Sequence, residues 1–148
     1  AELARAHGCD HTIVYTRENF TERVREITGG KGVPVVYDGI GKDTFMGSLD
    51  CLAPRGMMVI YGNASGPVPP FDLSVLSAKG SLKITRPTLM TYTARRELLE
   101  PMAAELFDVV GSGKVKIEIH QRYDLQNAAQ AHRDLEARKT TGSTILLP

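Results

Sequence analysis

The sequence predicts an α/β fold built on an incomplete, doubly wound parallel sheet. Strand-like and helix-like segments alternate as far as residue 87, as in right-handed β-α-β crossovers. Two of the strand segments, 33–38 and 57–61, are nearly continuous apolar runs, as expected where helices cover both faces of a parallel sheet. The chain has 148 residues, which is enough to bury a core.

Each element of the first part has a local reason. A helix over 1–7 ends at Gly8, and Phe20, Val24 and Ile27 repeat at helical spacing before Gly29-Gly30. Pro34 is tolerated because it lies at the start of its strand, and Asp72 is a plausible N-cap. Residues 54–56 (Pro-Arg-Gly) predict a turn. The predicted strands are 11–15, 33–38, 57–61 and 81–86, and the predicted helices between them are 19–28, 42–52 and 72–79.

The pattern changes after Pro87. A long helix over 93–110 is followed by a strand over 115–119, a helix over 124–138 and a strand over 143–147. The sequence therefore predicts two parts, 1–87 and 88–148.

Composition excludes several classes of function. A formal net charge of +1 leaves no reservoir for binding nucleic acid or an anionic membrane, so we expect neither as a partner. No apolar run approaches the roughly 20 residues needed to cross a bilayer, and residues 1–7 have no apolar segment of the kind found in a signal peptide, so we expect none there. Cys9 and Cys51 predict reduced structural thiols of a cytoplasmic protein, with Cys51 facing inward. The four histidines show no ligand spacing, and no metal site is predicted.

The candidate site lies at the carboxyl edge of the sheet, where doubly wound folds bind ligands. The loops that leave the predicted strands there span 15–17, 38–41, 61–66 and 85–87, and three of the four are rich in glycine, proline or small polar residues. The fingerprint G-x-G-x-x-G is absent, since Gly39 and Gly41 have no third glycine at the required spacing. These residues alone indicate a nucleotide-related α/β protein, and the alternative is that they only make turns.

A family resemblance extends this reading over essentially the whole chain. Zinc-free medium-chain dehydrogenases/reductases of the quinone oxidoreductase group are similar to this sequence in the segments 35–45, 48–59, 62–67, 79–82, 85–89, 131–138 and 141–144. The resemblance implies a Rossmann-type sheet and metal-free hydride transfer from NADPH to a quinone or a similar electron-poor acceptor. It makes 1–87 a partial nucleotide-binding domain (strands 3–6) and 88–148 a segment that returns toward the catalytic domain.

The resemblance also implies that the chain is the C-terminal portion of a protein about twice as long. The chain begins inside a helix and without methionine, which points the same way. Strands 1 and 2 would then lie upstream, and the neighbouring edge of the sheet near Val35, Val36 and Tyr37 would be open. We expect the isolated chain to be inactive and unstable, rearranged or oligomeric. Strand 81–89 would form a homodimer edge.

Cofactor contacts follow from the resemblance residue by residue. Tyr15 and Arg138 would bind the adenosine 2′-phosphate of NADPH. The other implied cofactor residues line the ribose and nicotinamide, and they are Gly41, Tyr61, Gly62, Asn63, Ala64, Thr85, Arg86 and Pro87. Alternatively, Arg138 only faces a helix dipole, Tyr15 is a half-buried strand residue and Tyr61 belongs to the core.

Two positions depart from the family pattern. Gly39 replaces the usual serine, which removes a hydroxyl from its loop, and Tyr61 replaces the usual phenylalanine. No catalytic residue is assigned, because the substrate-facing residues of the family lie mostly upstream. Two alternatives stay open: a related medium-chain enoyl or alcohol dehydrogenase, and a non-enzymatic α/β binding module.

Overall fold

The computed structural model describes residues 1–148, which divide into two compact units, Ala1–Thr91 and Tyr92–Pro148. The first unit contains helices α1–α5 and strands β1–β3. In chain order these elements are α1 (Glu2–Ala6), α2 (Phe20–Ile27), β1 (Val33–Asp38), α3 (Phe45–Asp50), β2 (Leu52–Ile60), α4 (Ser74–Ala78), β3 (Lys83–Thr85) and α5 (Leu89–Tyr92). The second contains α6 (Arg96–Gly111), β4 (Ile119–Asp124), a 3₁₀ turn (Leu125–Asn127), α7 (Ala128–Glu136) and β5 (Ser143–Leu147).

The first unit is built on a parallel sheet in the order β1-β2-β3. Its core lies where α3 and the loop before α4 cover β2, and Leu49, Leu52 and Met58 are fully buried there. The α/β class with parallel strands is therefore confirmed. The bounds of β1 and β5 are as predicted, and Asn19 caps α2 by accepting hydrogen bonds from the backbone N–H groups of Thr21 and Glu22.

The predicted turn over 54–56 lies inside strand β2. Val33 and Val35 of β1, which are two residues apart, pair with Leu52 and Met57 of β2, which are five residues apart. Strand β2 therefore has additional residues between these two pairs. Arg55 takes a left-handed conformation (φ 65°), and its N–H donates to Gly80 O at 2.7 Å. The strand predicted at 57–61 is thus observed from Leu52 to Ile60, with a bulge where the turn was expected.

The prediction of a strand over 11–15 is wrong. These residues form an irregular segment that ends in a turn, although their β-branched composition favours a strand. A strand needs the ladder hydrogen bonds of a neighbour, and no strand of the first unit lies beside this segment. The buried hydroxyl of Thr12 has no hydrogen-bond partner, which shows the same lack of local pairing.

Strand β1 is also less buried than its sequence predicts. It is an edge strand, as expected, but Val35 and Tyr37 are 40% and 72% exposed. In this chain, therefore, β1 is not covered by other elements on both of its faces. The strand predicted over 81–86 is observed as the shorter β3, where Ile84 packs against the core and Lys83 and Thr85 are exposed.

Several helix bounds differ from the prediction for local reasons. Helix α3 begins only at Phe45, because Gly41 starts a turn, and ends at Asp50, because Leu52 joins β2. Asp72 does bind the start of α4, accepting from the N–H of Ser74, but the helix itself is shorter than 72–79.

The second unit contains a separate two-stranded parallel sheet, β4-β5. The strand predicted at 115–119 is displaced and begins at Ile119, where pairing with Ser143 starts. The helix predicted over 93–110 is observed as α6, which starts three residues later, and the short α5 before it was not predicted. The helix predicted over 124–138 begins with a 3₁₀ turn. Tyr123 donates a hydrogen bond to Asp134, which ties β4 to α7. No helix of the chain has the length and apolar character to span a membrane.

Candidate dinucleotide site at the carboxyl edge of the sheet

The loops that leave β1 and β2 are joined by backbone hydrogen bonds. Ala64 N–H donates to Gly39 O (3.2 Å), Ser65 N–H to Ile40 O (2.8 Å) and Lys42 N–H to Gly66 O (3.1 Å). The Ser65 hydroxyl also donates to Ile40 O and accepts from the N–H of Asp43. The two loops, 39–44 and 61–66, therefore form one structure at the carboxyl edge of the sheet.

Glycine is required where these loops approach each other. A Cβ on Gly41, whose φ is +87°, would lie 2.7 Å from Gly66 O and 3.1 Å from Asn63 Cα. A Cβ on Gly62 would lie 2.6 Å from Gly39 O. The contacts of 2.7 and 2.6 Å are shorter than real Cβ atoms allow, so the glycines set the close approach between the loops.

An open cavity of about 560 Å³ lies beside the joined loops. Its walls are mainly apolar, with the Phe45 and Phe71 rings packed 4.8 Å apart between centroids. Asn63 and Arg86, from the loops after β2 and β3, contribute polar groups to the lining. An apolar cavity with a few convergent polar groups is typical of small-molecule and cofactor sites.

The carboxylate of Asp38 organises the start of the first loop. Its Oδ1 accepts hydrogen bonds from the N–H groups of Ile40 (2.8 Å) and Gly41 (2.9 Å). The hydroxyls of Thr44 and Ser48 donate to Oδ2, both at 2.8 Å. Burial raises the pKa of Asp38, but the four hydrogen bonds to the charged form outweigh that effect and hold the pKa below its ordinary value.

Tyr15 lies at a second, smaller cavity at the same end of β1. This cavity has a volume of about 180 Å³, and Asp38, Ile40 and Thr44 also line it. Tyr15 is 43% exposed, so its side chain is accessible to a ligand. The loop after β1 lines this smaller cavity and also contacts the second loop near Asn63. Asn63 and Arg86 both line the larger cavity.

Tyr61 is a surface residue, so the alternative that places it in the core is wrong. It is 64% exposed, and a Cβ on Gly39 would lie 2.9 Å from its Oη. The Tyr61 ring therefore rests over the space that the missing side chain of Gly39 leaves. The two departures from the family pattern lie in contact with each other.

The remaining predicted residues lie at the ends of their elements. Ala64 is exposed in the second loop, and Thr85 and Pro87 end β3 and follow it. Arg138 belongs to the second unit, where it is exposed just after α7 with a left-handed conformation (φ 57°). Its N–H donates to Leu135 O, so it forms the C-terminal turn of that helix. This position also suits the alternative that Arg138 only faces the helix dipole.

Both cysteines are free thiols, with Cys9 exposed and Cys51 buried as predicted. Burial raises the pKa of the Cys51 thiol, which is therefore a poor nucleophile. No group of three or more His, Cys, Asp or Glu side chains is arranged to hold a metal ion.

Sequence reasoning recognised the loop 38–41 but did not single out Asp38 itself. A signal was available: Thr44 and Ser48 follow Asp38 at spacings that place their hydroxyls on one side of α3. An aspartate that ends an apolar strand and is followed by such hydroxyls predicts a buried, hydrogen-bonded carboxylate.

The fold and the site together define a class: a parallel α/β unit with a loop-built cavity at its carboxyl edge, as in dinucleotide-binding domains. Residues 7–146 match the family model described as zinc-binding dehydrogenase, and the chain belongs to this family.

Three proteins illustrate the similarity. A quinone oxidoreductase of Pseudomonas aeruginosa is 57% identical over 148 residues, which are 100% of this chain and 46% of that protein. A 2-haloacrylate reductase of a Burkholderia species is 50% identical over 149 residues, covering 100% of this chain and 45% of the relative. The crystal structure of Escherichia coli quinone oxidoreductase complexed with NADPH superposes with a TM-score of 0.94 at 47% identity, covering 100% of this chain and 46% of that one. The chain thus spans about half the length of these relatives.

Proposed function

We propose that this chain forms the cofactor-binding part of an NADPH-dependent quinone oxidoreductase that reduces a quinone or a similar electron-poor acceptor without a metal. The observation that carries the proposal is the joined pair of loops beside the larger cavity, where Asn63 and Arg86 come together. The similarity to an NADPH-complexed quinone oxidoreductase supports the choice of cofactor.

The residues at this edge fit a dinucleotide. The larger cavity of about 560 Å³ has apolar walls for a flat ring, and the Asn63 amide and Arg86 guanidinium can hydrogen-bond polar groups. The bound NADPH supplies the hydride. The chain's own contribution is to orient the nicotinamide and to exclude water from it.

Individual roles follow from position. We assign Gly41 to the ribose and nicotinamide side, where its lack of a Cβ permits close backbone approach. The second loop (61–64: Tyr61, Gly62, Asn63, Ala64) would line the nicotinamide, and the end of β3 (85–87: Thr85, Arg86, Pro87) would meet its carboxamide.

We assign Tyr15 and Arg138 to the 2′-phosphate that distinguishes NADPH from NADH. A phosphate dianion favours charge-assisted and hydroxyl donors, and both side chains are exposed. The assignment predicts that the whole protein binds NADPH more tightly than NADH.

Titration of the whole protein with each cofactor tests this assignment. Arg138→Ala should weaken NADPH binding by about tenfold or more, since hydrogen bonds to charged groups are worth about 1.5–3 kcal/mol, and should leave NADH binding unchanged. Arg133→Ala is the matched control, because Arg133 is an exposed arginine on α7 whose guanidinium donates to Gln130 of the same helix. Equal NADPH and NADH affinities in the unaltered protein would contradict the assignment.

The absence of a metal from the reaction is a separate part of the proposal. We expect dialysis against a chelator to leave the rate of quinone-dependent NADPH oxidation unchanged, whereas a required zinc ion would make the rate fall and recover when zinc is added.

We also propose that the protein is cytoplasmic. Both cysteines are free thiols, which is usual for proteins of a reducing compartment.

The class of acceptor is the open part of the proposal. The 50% identity with a 2-haloacrylate reductase favours electron-poor alkenes as a second candidate class. Comparing the NADPH-dependent reduction of a quinone, a 2-haloacrylate and an enoyl substrate with the NADP⁺-dependent oxidation of an alcohol decides between them. We expect quinone turnover to be fastest. Turnover of the alcohol alone would instead support an alcohol dehydrogenase.

The isolated 148-residue chain is expected to be inactive. Quinone-dependent oxidation of NADPH by this chain alone would contradict that expectation. If the whole protein neither binds NADPH nor oxidises it, the non-enzymatic α/β binding module becomes the better reading.

We further propose that segment 81–89 pairs with its two-fold mate in a homodimer. Strand β3 ends the sheet order, and its Lys83 and Thr85 side chains are exposed. Two-fold pairing of this segment would bring the two copies of its central residue, Thr85, together. In a Cys9→Ser background, Thr85→Cys should therefore form an intermolecular disulfide on mild oxidation. The exposed helical control Ser77→Cys should not, and monomeric mass by light scattering would refute the dimer.

A further inference from the structure

The buried carboxylate of Asp38 is held by uncharged donors. The residue is 4% exposed, and its carboxylate accepts hydrogen bonds from two backbone N–H groups and two hydroxyls. Removing a carboxylate from water is costly, and an apolar side chain of similar size would fill this space without that cost. Packing alone therefore does not explain why a carboxylate is buried at this position.

Asp38 touches both loops of the candidate site. Its side chain holds the N–H groups of Ile40 and Gly41, while its backbone carbonyl accepts from the N–H of Tyr61 at 3.0 Å. One residue thus sets the start of the first loop by its side chain and the start of the second by its main chain.

The position of Gly41 is then passed on to the second loop. Gly41 leaves no room for a side chain against Gly66 and Asn63, so a displacement of Gly41 toward them must move their backbone. The next N–H, that of Lys42, donates to Gly66 O. Asn63, which lines the larger cavity, therefore depends on where the Asp38 carboxylate holds Gly41.

We propose that Asp38 is a positioning residue of the dinucleotide site: its buried carboxylate holds the loop after β1 in the conformation that places Gly41 and, through Gly66, Asn63 against the cofactor. This inference rests on the proposed function, and it adds a residue that acts without touching the cofactor. The low pKa of Asp38 keeps the acceptor charged at neutral pH, so all four donors have a partner there.

The first test is Asp38→Asn in the whole protein, with Asp50→Asn as the matched control. Asparagine keeps the shape and one acceptor oxygen but turns an NH₂ toward Thr44 and Ser48, which must then reorient. Asp50 lies at the other end of α3, where it pairs with Lys79, so its substitution removes a carboxylate without touching the loops.

We expect the NADPH dissociation constant of Asp38→Asn, measured by fluorescence titration, to rise about tenfold, and that of Asp50→Asn to stay within about twofold. Amide hydrogen exchange at residues 40–41 and 63–66 should become faster in Asp38→Asn alone. A folded Asp38→Asn protein with unchanged NADPH affinity and unchanged exchange in these loops would overturn the proposal.

A second pair of variants covers the case in which Asp38→Asn does not fold. Thr44→Val removes one donor to the carboxylate, and Thr44→Ser keeps the hydroxyl. The proposal expects weaker NADPH binding in Thr44→Val and recovery in Thr44→Ser; equal binding in all three proteins would overturn it.

The outcomes also separate this inference from the proposed function. If the unaltered whole protein does not bind NADPH, the proposed function fails, and exchange at residues 63–66 still decides whether Asp38 holds the second loop. If the unaltered protein binds NADPH and the variants bind equally well, only the positioning role fails.

Discussion

The loop after β1 and the segment 11–15 make an instructive comparison. Both were expected to belong to one sheet, 11–15 as a strand and the loop at the carboxyl edge, but only the loop has a defined structure held by its own partners. The Asp38 carboxylate and the loop 61–66 satisfy its backbone, whereas 11–15 has no neighbouring strand and ends as irregular chain. A loop can be determined by local donors and acceptors, while a strand depends on a partner elsewhere in the protein.

The largest effect is expected from the core beneath the loops. Leu49→Ala should lower the free energy of unfolding by about 2–5 kcal/mol, because Leu49 is 1% exposed and its loss leaves a cavity. In the irregular segment, Ile13→Ala should cost less than about 1 kcal/mol, since Ile13 is only half-buried. Urea unfolding of both variants checks the difference, and equal losses would break the comparison.

The second effect separates backbone conformation from close approach. Gly41→Ala and Gly30→Ala both place a Cβ at a positive φ, +87° and +81°, which costs about 1–2 kcal/mol for a non-glycine residue. At Gly30 nothing lies within 4 Å of the new atom, whereas at Gly41 the Gly66 carbonyl lies at 2.7 Å. Gly41→Ala should therefore be more destabilising and should also weaken NADPH binding. The same loss in both variants would show that the loop contact adds nothing.

The third effect is a pH dependence of stability from Asp38. Because its pKa is lower in the folded protein, the unfolded chain binds more protons between the two pKa values, and stability rises with pH there. The contribution is present above the ordinary aspartate pKa of about 3.9 and is lost as the pH falls through the folded value. The stability difference between the unaltered protein and Asp38→Asn should shrink on acidification below about pH 4. A constant difference across that range would contradict the low pKa.

The smallest effect is expected at the contact between Gly39 and Tyr61. A Cβ at position 39 would displace the exposed end of the Tyr61 ring, which can move, so Gly39→Ala should cost less than about 1 kcal/mol. In Tyr61→Ala the obstacle is gone, and the same change should cost less still. A double-mutant cycle measures this coupling, and a value of zero would show that the ring does not rest on Gly39 in solution.

The sequence by itself determined the elements whose causes are local. The apolar runs of β1 and β5, the helical spacing of apolar residues in α2 and the glycines of the two loops are all readable from residue type and spacing. The parallel α/β class follows from the same alternation, and so do the loop positions of Gly41, Asn63 and Arg86.

Tertiary structure decided whatever depends on a partner distant in sequence. At the bulge the Arg55 N–H donates to the distant Gly80 carbonyl, and β4 begins where Ile119 pairs with Ser143. The exposure of Tyr37 and the irregular course of 11–15 follow from which strands lie beside them. A sequence pattern records what a segment prefers, but ladder hydrogen bonds and burial are satisfied only by neighbours, and those are chosen by the fold.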